Sequence, residues 1–258
     1  MLAGTFGALI GSFLNVVIYR MPRGMPMGME RSMCPNCKKQ IAWFDNIPVV
    51  SYLLLLGRCR NCKVGISPRY PFVELLTAVA FAICADRAVA LNWQLIGFLV
   101  VSTSCAVLIS VAYIAWDRAD LPPGLTRRLL PVTALVGAIA VPALPGVELW
   151  GHRVGEQMSP HAESLIVGLV GGALGWALLW GADRVKAVSA DARWILVCAG
   201  LLRGPSGALL AGMIGVLSAT ALLPFARRRS MDRIACGMSV GGVVALLGYD
   251  WIATIYGR

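Results

Sequence analysis

Two Cys-x-x-Cys pairs, Cys34/Cys37 and Cys59/Cys62, stand 21 residues apart in the chain. Four thiolates at that spacing suit a tetrahedral, all-cysteine zinc site. Lys38, Lys39, Arg58, Arg60 and Lys63 lie close by in sequence, where they would favour deprotonated sulfurs and offset the double negative charge of a filled site. The competing reading, two redox-active disulfides, is disfavoured on a reducing cytoplasmic face. With four protein ligands no position is left for water, so the expected role of zinc is structural, folding a loop that has little core of its own.

The second group is acidic. Asp117 and Asp120 follow an apolar run in "YIAWDRADLPPGLTRRLLP", and Asp191 precedes another in "GADRVKAVSADARWILV". The two histidines, His152 and His161, fall in a polar stretch far from these acids, there is no His-Glu-x-x-His, and no serine or cysteine has a histidine partner nearby in sequence. No glycine-rich phosphate loop follows a strand pattern, so carboxylates are the chemistry that remains. Such acids are either solvated loop charges or functional groups. In the functional case two close carboxyls share one proton, because both cannot ionise cheaply. One then acts as base on a water while the other, protonated, polarises a scissile carbonyl. At a membrane boundary that pair could cut a peptide bond beside a hydrophobic helix.

The elements that must carry these groups are membrane spans. Charged residues make up 14% of the 258 and hydrophobic ones 58%, whereas a soluble domain carries roughly 25% charged residues. Apolar stretches fall at 3–19, 71–86, 93–116, 129–147, 163–182, 194–202, 206–225 and 235–255. Most are near the length needed to cross a bilayer. The stretch 194–202 is short and is followed by the turn-forming Arg203-Gly204-Pro205-Ser206-Gly207. With eight passes and the N-terminus outside, the inner segments 20–69, 117–128, 183–193 and 227–233 hold nine, three, three and four Lys/Arg, and the outer ones only Arg87, Arg153, Arg203 and Arg258. This positive-inside distribution accounts for the net charge of +10 without nucleic acid as a partner. The opening segment lacks a basic start and a small-residue cleavage site and reads as a retained span.

The expected fold is therefore all-α, a polytopic membrane protein of about eight transmembrane helices, one short or re-entrant, with a small cytoplasmic four-cysteine zinc domain. The domain boundaries follow as a first transmembrane helix 1–19, a zinc-binding domain 20–70 and a transmembrane catalytic domain 71–258. No internal repeat is expected. Cys84, Cys105, Cys198 and Cys236 lie in apolar stretches and read as packing residues. Glu74 is expected to pair with Arg69 or to reach the interface, and Asn15 to bond a neighbouring helix or to serve a functional site. The methionine-rich 21–33 reads as a linker or as a contact for an apolar helix, and Asp183 as a solvated charge.

"GSFLNVVIYRMPR" (11–23), "NIPVVSYLLLLGRCRNC" (46–62) and "ISPRYPFVE" (66–74) resemble the type IV prepilin peptidase family, also called leader peptidase/N-methyltransferase, over about residues 4–80. The resemblance implies a bacterial inner-membrane aspartic protease with its zinc domain and active site on the cytoplasmic side. It also implies prepilin or type II secretion pseudopilin substrates, whose basic leader is removed after a glycine. N-methylation of the new terminal residue, with S-adenosylmethionine as donor, is implied as a second activity where it is retained. A catalytically decayed homologue that docks pilins in the bilayer is the alternative. In the family the first catalytic aspartate stands seven residues before the proline of a Leu-Pro-Asp-type turn. Here that position is Ala115, with Asp117 five before Pro122, so a two-residue deletion makes Asp117 the expected catalytic residue and Asp120 its reserve. The family's Gly-x-Gly-Asp-x-Lys reads Val188-Ser189-Ala190-Asp191-Ala192-Arg193, which makes Asp191 the second member of the dyad.

Overall fold

The computed structural model describes residues 1–27, 32–90 and 95–117, with isolated positions at 132, 166, 169, 170, 172–174, 240 and 243. The chain forms two compact units, Met1–Ile83 and Cys84–Arg258. The described residues are mostly helical. They contain no strand, only two isolated antiparallel bridges, Met33 with Gln40 and Arg58 with Gly65.

In the first unit, α1 (Leu2–Arg20) continues into a 3-10 turn, Met21–Arg23, whose proline sits where a helix donor would have no partner. Left-handed Gly24 ends it. A second 3-10 turn, Trp43–Asn46, and the five-residue α2 (Val50–Leu54) lie within the polar insertion. α3 (Arg69–Ala90) follows, and its first fifteen residues belong to this unit.

α1 and α3 run antiparallel with their backbones close together. A Cβ added at Gly7 would stand 2.8 Å from the Thr77 carbonyl oxygen and 2.9 Å from Ala78 Cα; one at Gly11 would stand 2.7 Å from Glu74 Cα. Gly7 and Gly11 form a small-xxx-small pair, the pattern that lets two membrane helices touch along their backbones. One turn further along α1, buried Asn15 donates its Nδ2 hydrogen to the Tyr70 carbonyl at 3.1 Å. Of the two expectations for Asn15, this is the interhelical bond. On their outer sides the helices expose apolar stripes: Leu2, Phe6, Leu9 and Phe13 on α1, and Phe72, Leu75 and Val79 on α3.

In the second unit, α4 (Leu95–Trp116) is apolar around its whole circumference. Its hydroxyls are satisfied within the helix: Ser102, Ser104 and Ser110 donate to the carbonyls of Phe98, Val100 and Ala106 at 2.6, 2.9 and 3.0 Å. A helix in lipid must satisfy its polar groups internally in this way. Among the described residues, two helical segments, Leu2–Arg23 and Leu95–Trp116, are long and apolar enough to cross a membrane. The apolar stretches 3–19, 71–86 and 93–116 thus correspond to α1, α3 and α4. Stretches 194–202 and 206–225 lie outside the described residues, as do 129–147, 163–182 and 235–255 apart from single helical positions.

Candidate functional site

The two cysteine pairs are built alike. In the first, the Lys38 amide donates to the Cys34 carbonyl at 2.9 Å and the Cys34 amide to the Lys39 carbonyl at 3.0 Å. In the second, the Lys63 amide donates to the Cys59 carbonyl at 3.0 Å and the Cys59 amide to the Val64 carbonyl at 2.9 Å. Lys38 and Lys63 both take positive φ, 56° and 58°, closing each turn so that its two sulfurs face the same way. Cys-Pro-Asn-Cys-Lys and Cys-Arg-Asn-Cys-Lys are therefore two copies of one short knuckle, a local repeat beneath a sequence that otherwise shows none.

The four sulfurs of Cys34, Cys37, Cys59 and Cys62 all lie within 4.8 Å of one another, and those of Cys34 and Cys62 are 3.8 Å apart. A tetrahedron with metal–sulfur bonds of about 2.3 Å has edges of about 3.8 Å, so the donor set fits zinc in both number and size. The surroundings supply a second reason for a metal. Among the described residues of 21–68, only Cys34 and Ser51 are buried. The loop has no apolar core to hold it.

The thiols are tuned unequally. The Val64 backbone amide, helped by the Asn36 side chain, brings Cys62 down to about 6 against the effect of burial. The Cys37 backbone amide likewise lowers Cys34. Cys37 also gains a lowering bond from the Lys39 amide, but burial and the sulfurs of Cys34, Cys62 and Cys59 outweigh it and push the thiol up to about 11. All four sulfurs can be negative together only with a cation between them; otherwise a thiol such as Cys37 keeps its proton.

Arg60, within the second knuckle, is committed to a different partner. It donates to both carboxylate oxygens of Asp45, from Nε at 2.7 Å and from Nη2 at 2.6 Å, and lies over the Phe44 ring at 5.5 Å. This fork joins the knuckle to the Trp43–Asn46 turn and holds the Asp45 carboxyl below its ordinary range. Ser51 completes the frame, accepting from the Ile47 amide at 3.0 Å and donating to the Phe44 carbonyl at 2.8 Å.

Glu74 binds the cysteine-bearing loop. Its Oε2 accepts the Val49 amide at 2.7 Å from a side chain on α3 that is only 9% exposed. Val49 has φ 62° and ψ −49°, and the Val50 amide reaches back to the Pro48 carbonyl at 2.6 Å. This is a γ-turn with positive φ, a rare and strained conformation for a β-branched residue. The sequence singled out Glu74, but its partner lies 25 residues away and is a backbone group, which leaves no side-chain signal. The Gly7/Gly11 pair and Asp45 also went unread, although Gly-x-x-x-Gly in an apolar run is a signal that could have found the first.

Asp117 stands immediately after α4, exposed, with its amide donating to the Tyr113 carbonyl at 2.9 Å. Asp120 and Asp191 lie outside the described residues.

A family model described as the Bacterial Peptidase A24 N-terminal domain matches residues 5–88, the segment that holds α1, the cysteine knuckles and most of α3. The chain is 43% identical over 120 residues to the prepilin leader peptidase/N-methyltransferase of Myxococcus xanthus (strain DK1622), covering 46% of this chain and 35% of that one. It is 39% identical over 153 residues to the protein of the same name from Neisseria gonorrhoeae, covering 50% and 52%. These two relatives are thus spanned over about half of their length or less. The type 4 prepilin-like proteins leader peptide-processing enzyme of Escherichia coli O78:H11 is 33% identical over 270 residues and is spanned over 91% of both chains. No solved structure matches the chain significantly. With one such relative aligned almost end to end and the knuckle-bearing segment matched by the family's own N-terminal domain, the chain belongs to the prepilin leader peptidase/N-methyltransferase family.

Proposed function

We propose that the protein is a prepilin leader peptidase, an aspartyl endopeptidase of the bacterial inner membrane that removes the basic leader of type IV prepilins or type II secretion pseudopilins after a glycine. The observation that carries this reading is the 33% identity to a leader peptide-processing enzyme over 91% of both chains. Relatives named as peptidases favour cutting over docking alone.

Asp117 and Asp191 form the dyad, with Asp120 in reserve. The support for Asp117 is positional: it is the first acid after a 22-residue apolar helix, exposed where water is available. The substrate's apolar helix lies in the bilayer beside the spans, so its leader junction emerges at the same depth. One carboxylate takes a proton from water while the other, protonated, donates to the scissile carbonyl oxygen; the tetrahedral intermediate collapses as the leaving amine is protonated. Eight passes place this chemistry and the knuckles on the cytoplasmic face. Cys34, Cys37, Cys59 and Cys62 hold zinc, whose role is to fold the loop.

Methylation of the new N-terminal residue, with S-adenosylmethionine as donor, belongs to the same proposal through the names of the relatives. The described residues contain no glycine-rich turn between strand and helix to receive an adenosine, so no residue is assigned to the donor.

The test is purified protein incubated with a prepilin and followed by mass spectrometry. Cleavage after the leader glycine is expected, with a loss of at least 100-fold in Asp117→Asn and in Asp191→Asn at unchanged zinc content. Wild-type cleavage that persists in Asp191→Asn would remove that residue from the mechanism. No cleavage by the wild type would leave docking as the function.

A further inference from the structure

The segment 43–56 of the zinc loop is built inside out. Its serine, Ser51, is 5% exposed and committed to backbone groups, whereas Trp43 is 81%, Leu54 77% and Leu56 85% exposed, and Ile47, Val50 and Leu53 are also on the surface. In a water-facing loop this arrangement exposes these six large apolar side chains within fourteen residues, a concentration of the kind that marks an interaction site. Backbone strain maintains it. The positive φ of Val49 sets the entry into α2, and Leu56 and Gly57, at φ 51° and 67°, set its exit.

The Glu74 bond fixes the depth of this surface. Val49 is tied at 2.7 Å to a carboxylate five residues into α3, about 7.5 Å along its axis from Arg69. Phe72 and Leu75, within two residues of Glu74 on that helix, are exposed and apolar, the start of the stripe that continues to Val79. If α3 spans the bilayer, as the proposed function has it, Val49 lies level with the beginning of the lipid-facing surface. Its amide then needs a partner within the protein, and the carboxylate supplies one. Exposed Lys38, Lys39, Arg58 and Lys63 flank the apolar segment in sequence, the arrangement by which an interfacial element meets anionic headgroups. Tryptophan is the residue most at home at that boundary.

We infer that residues 43–56 lie in the lipid interface at the start of α3, with Trp43, Leu53, Leu54 and Leu56 in contact with acyl chains, so that the zinc domain is a monotopic membrane element and not a loop hanging in water. This rests on α3 being a span. The occupant is lipid, because the tether sets the surface level with the apolar stripe of the helix.

The experiment uses the full-length, zinc-loaded protein in vesicles of phosphatidylethanolamine and phosphatidylglycerol, with a benzophenone amino acid placed singly at Leu54, Leu56 or, on α3, Leu75. Zinc content checks that each variant is folded. Lipid adducts at all three positions, without any prepilin present, are the expected result. Adducts at Leu75 but not at Leu54 or Leu56 overturn the interfacial placement alone, as do adducts there only to a second copy of the chain or to an added prepilin. Absence of lipid adducts at every position overturns the spanning reading of α3 and this inference with it. Neither result depends on the cleavage assay, so failure of the proteolytic scheme remains separately visible.

Discussion

Asp45 and Arg60 carry the most specific single contact in the zinc loop. Two parallel N–H···O bonds at 2.6 and 2.7 Å hold a knuckle residue to the Trp43–Asn46 turn. Arg60 remains half exposed, so solvent screens the pair and its expected contribution is small, roughly a few-fold change in a rate or equilibrium. Asp45→Asn should therefore hasten zinc loss to a competing chelator by about that factor. The pH dependence follows from the lowered Asp45 carboxyl. A carboxyl held below its unfolded value adds stability that is complete above that value and lost only as pH falls through the lowered one. The ratio of release rates between wild type and Asp45→Asn should thus be constant from pH 8 to 6; a ratio that changes there would assign the effect to another group. The cysteines were legible at this scale because a metal imposes residue type and spacing together. Asp45 was not, since its partner is 15 positions away and nothing local marks it. Arg60, read as a general source of positive charge for the sulfurs, is instead the donor of this fork.

Among the elements, the bounds of α1, α3 and α4 were legible to within a few residues because a long apolar run bounded by polar residues permits little but a helix. Their pairing was not, because periodicity says which residues are apolar and not which helix they meet. The Gly7 and Gly11 contacts make the α1–α3 pairing testable. A leucine at Gly11 must displace the Glu74 backbone, which its Cβ would approach at 2.7 Å. Overpacking of that kind costs about 1–3 kcal/mol. Gly11→Leu is expected to lower the temperature of thermal unfolding in detergent, whereas Leu9→Ala, on the exposed side of the same helix, should have little effect. Equal loss from both would mean that the close approach does not hold the helices. The strained turn predicts the opposite sign. Val49→Gly removes strain of about 1–3 kcal/mol and adds about 0.5–1 kcal/mol of chain entropy cost. It should therefore be neutral or stabilising by about 1 kcal/mol in the same melt. Clear destabilisation would mean that the valine side chain, and not the Glu74 bond, fixes that corner.

For the molecule as a whole, the question is how far zinc's influence reaches. Residues 21–68 have almost no buried side chains among those described, so their order is expected to depend on a metal held by the four sulfurs, the Asp45–Arg60 fork and the Ser51 and Glu74 hydrogen bonds. Structural zinc sites contribute on the order of 10 kcal/mol to folding, far more than the other three sources together. The α1–α3 contact is different in kind. It rests on close backbone packing, the Phe6–Phe81 ring contact and hydrogen bonds such as that of Asn15 to Tyr70, and not on the cysteine knuckles. Stripping zinc with a strong chelator should therefore unfold the loop and leave the helix pair intact. Limited proteolysis read by mass spectrometry is expected to cut within 25–67 after chelation and to spare 1–20 and 69–90. Leader removal should fall at the same time if the loop presents the substrate to the acids, even though no aspartate has been touched. Cuts spreading into α1 and α3 would mean that the metal holds the helices too. A loop that stays protected without zinc would mean that contact with lipid or with the rest of the chain, and not the four thiolates, supplies its stability.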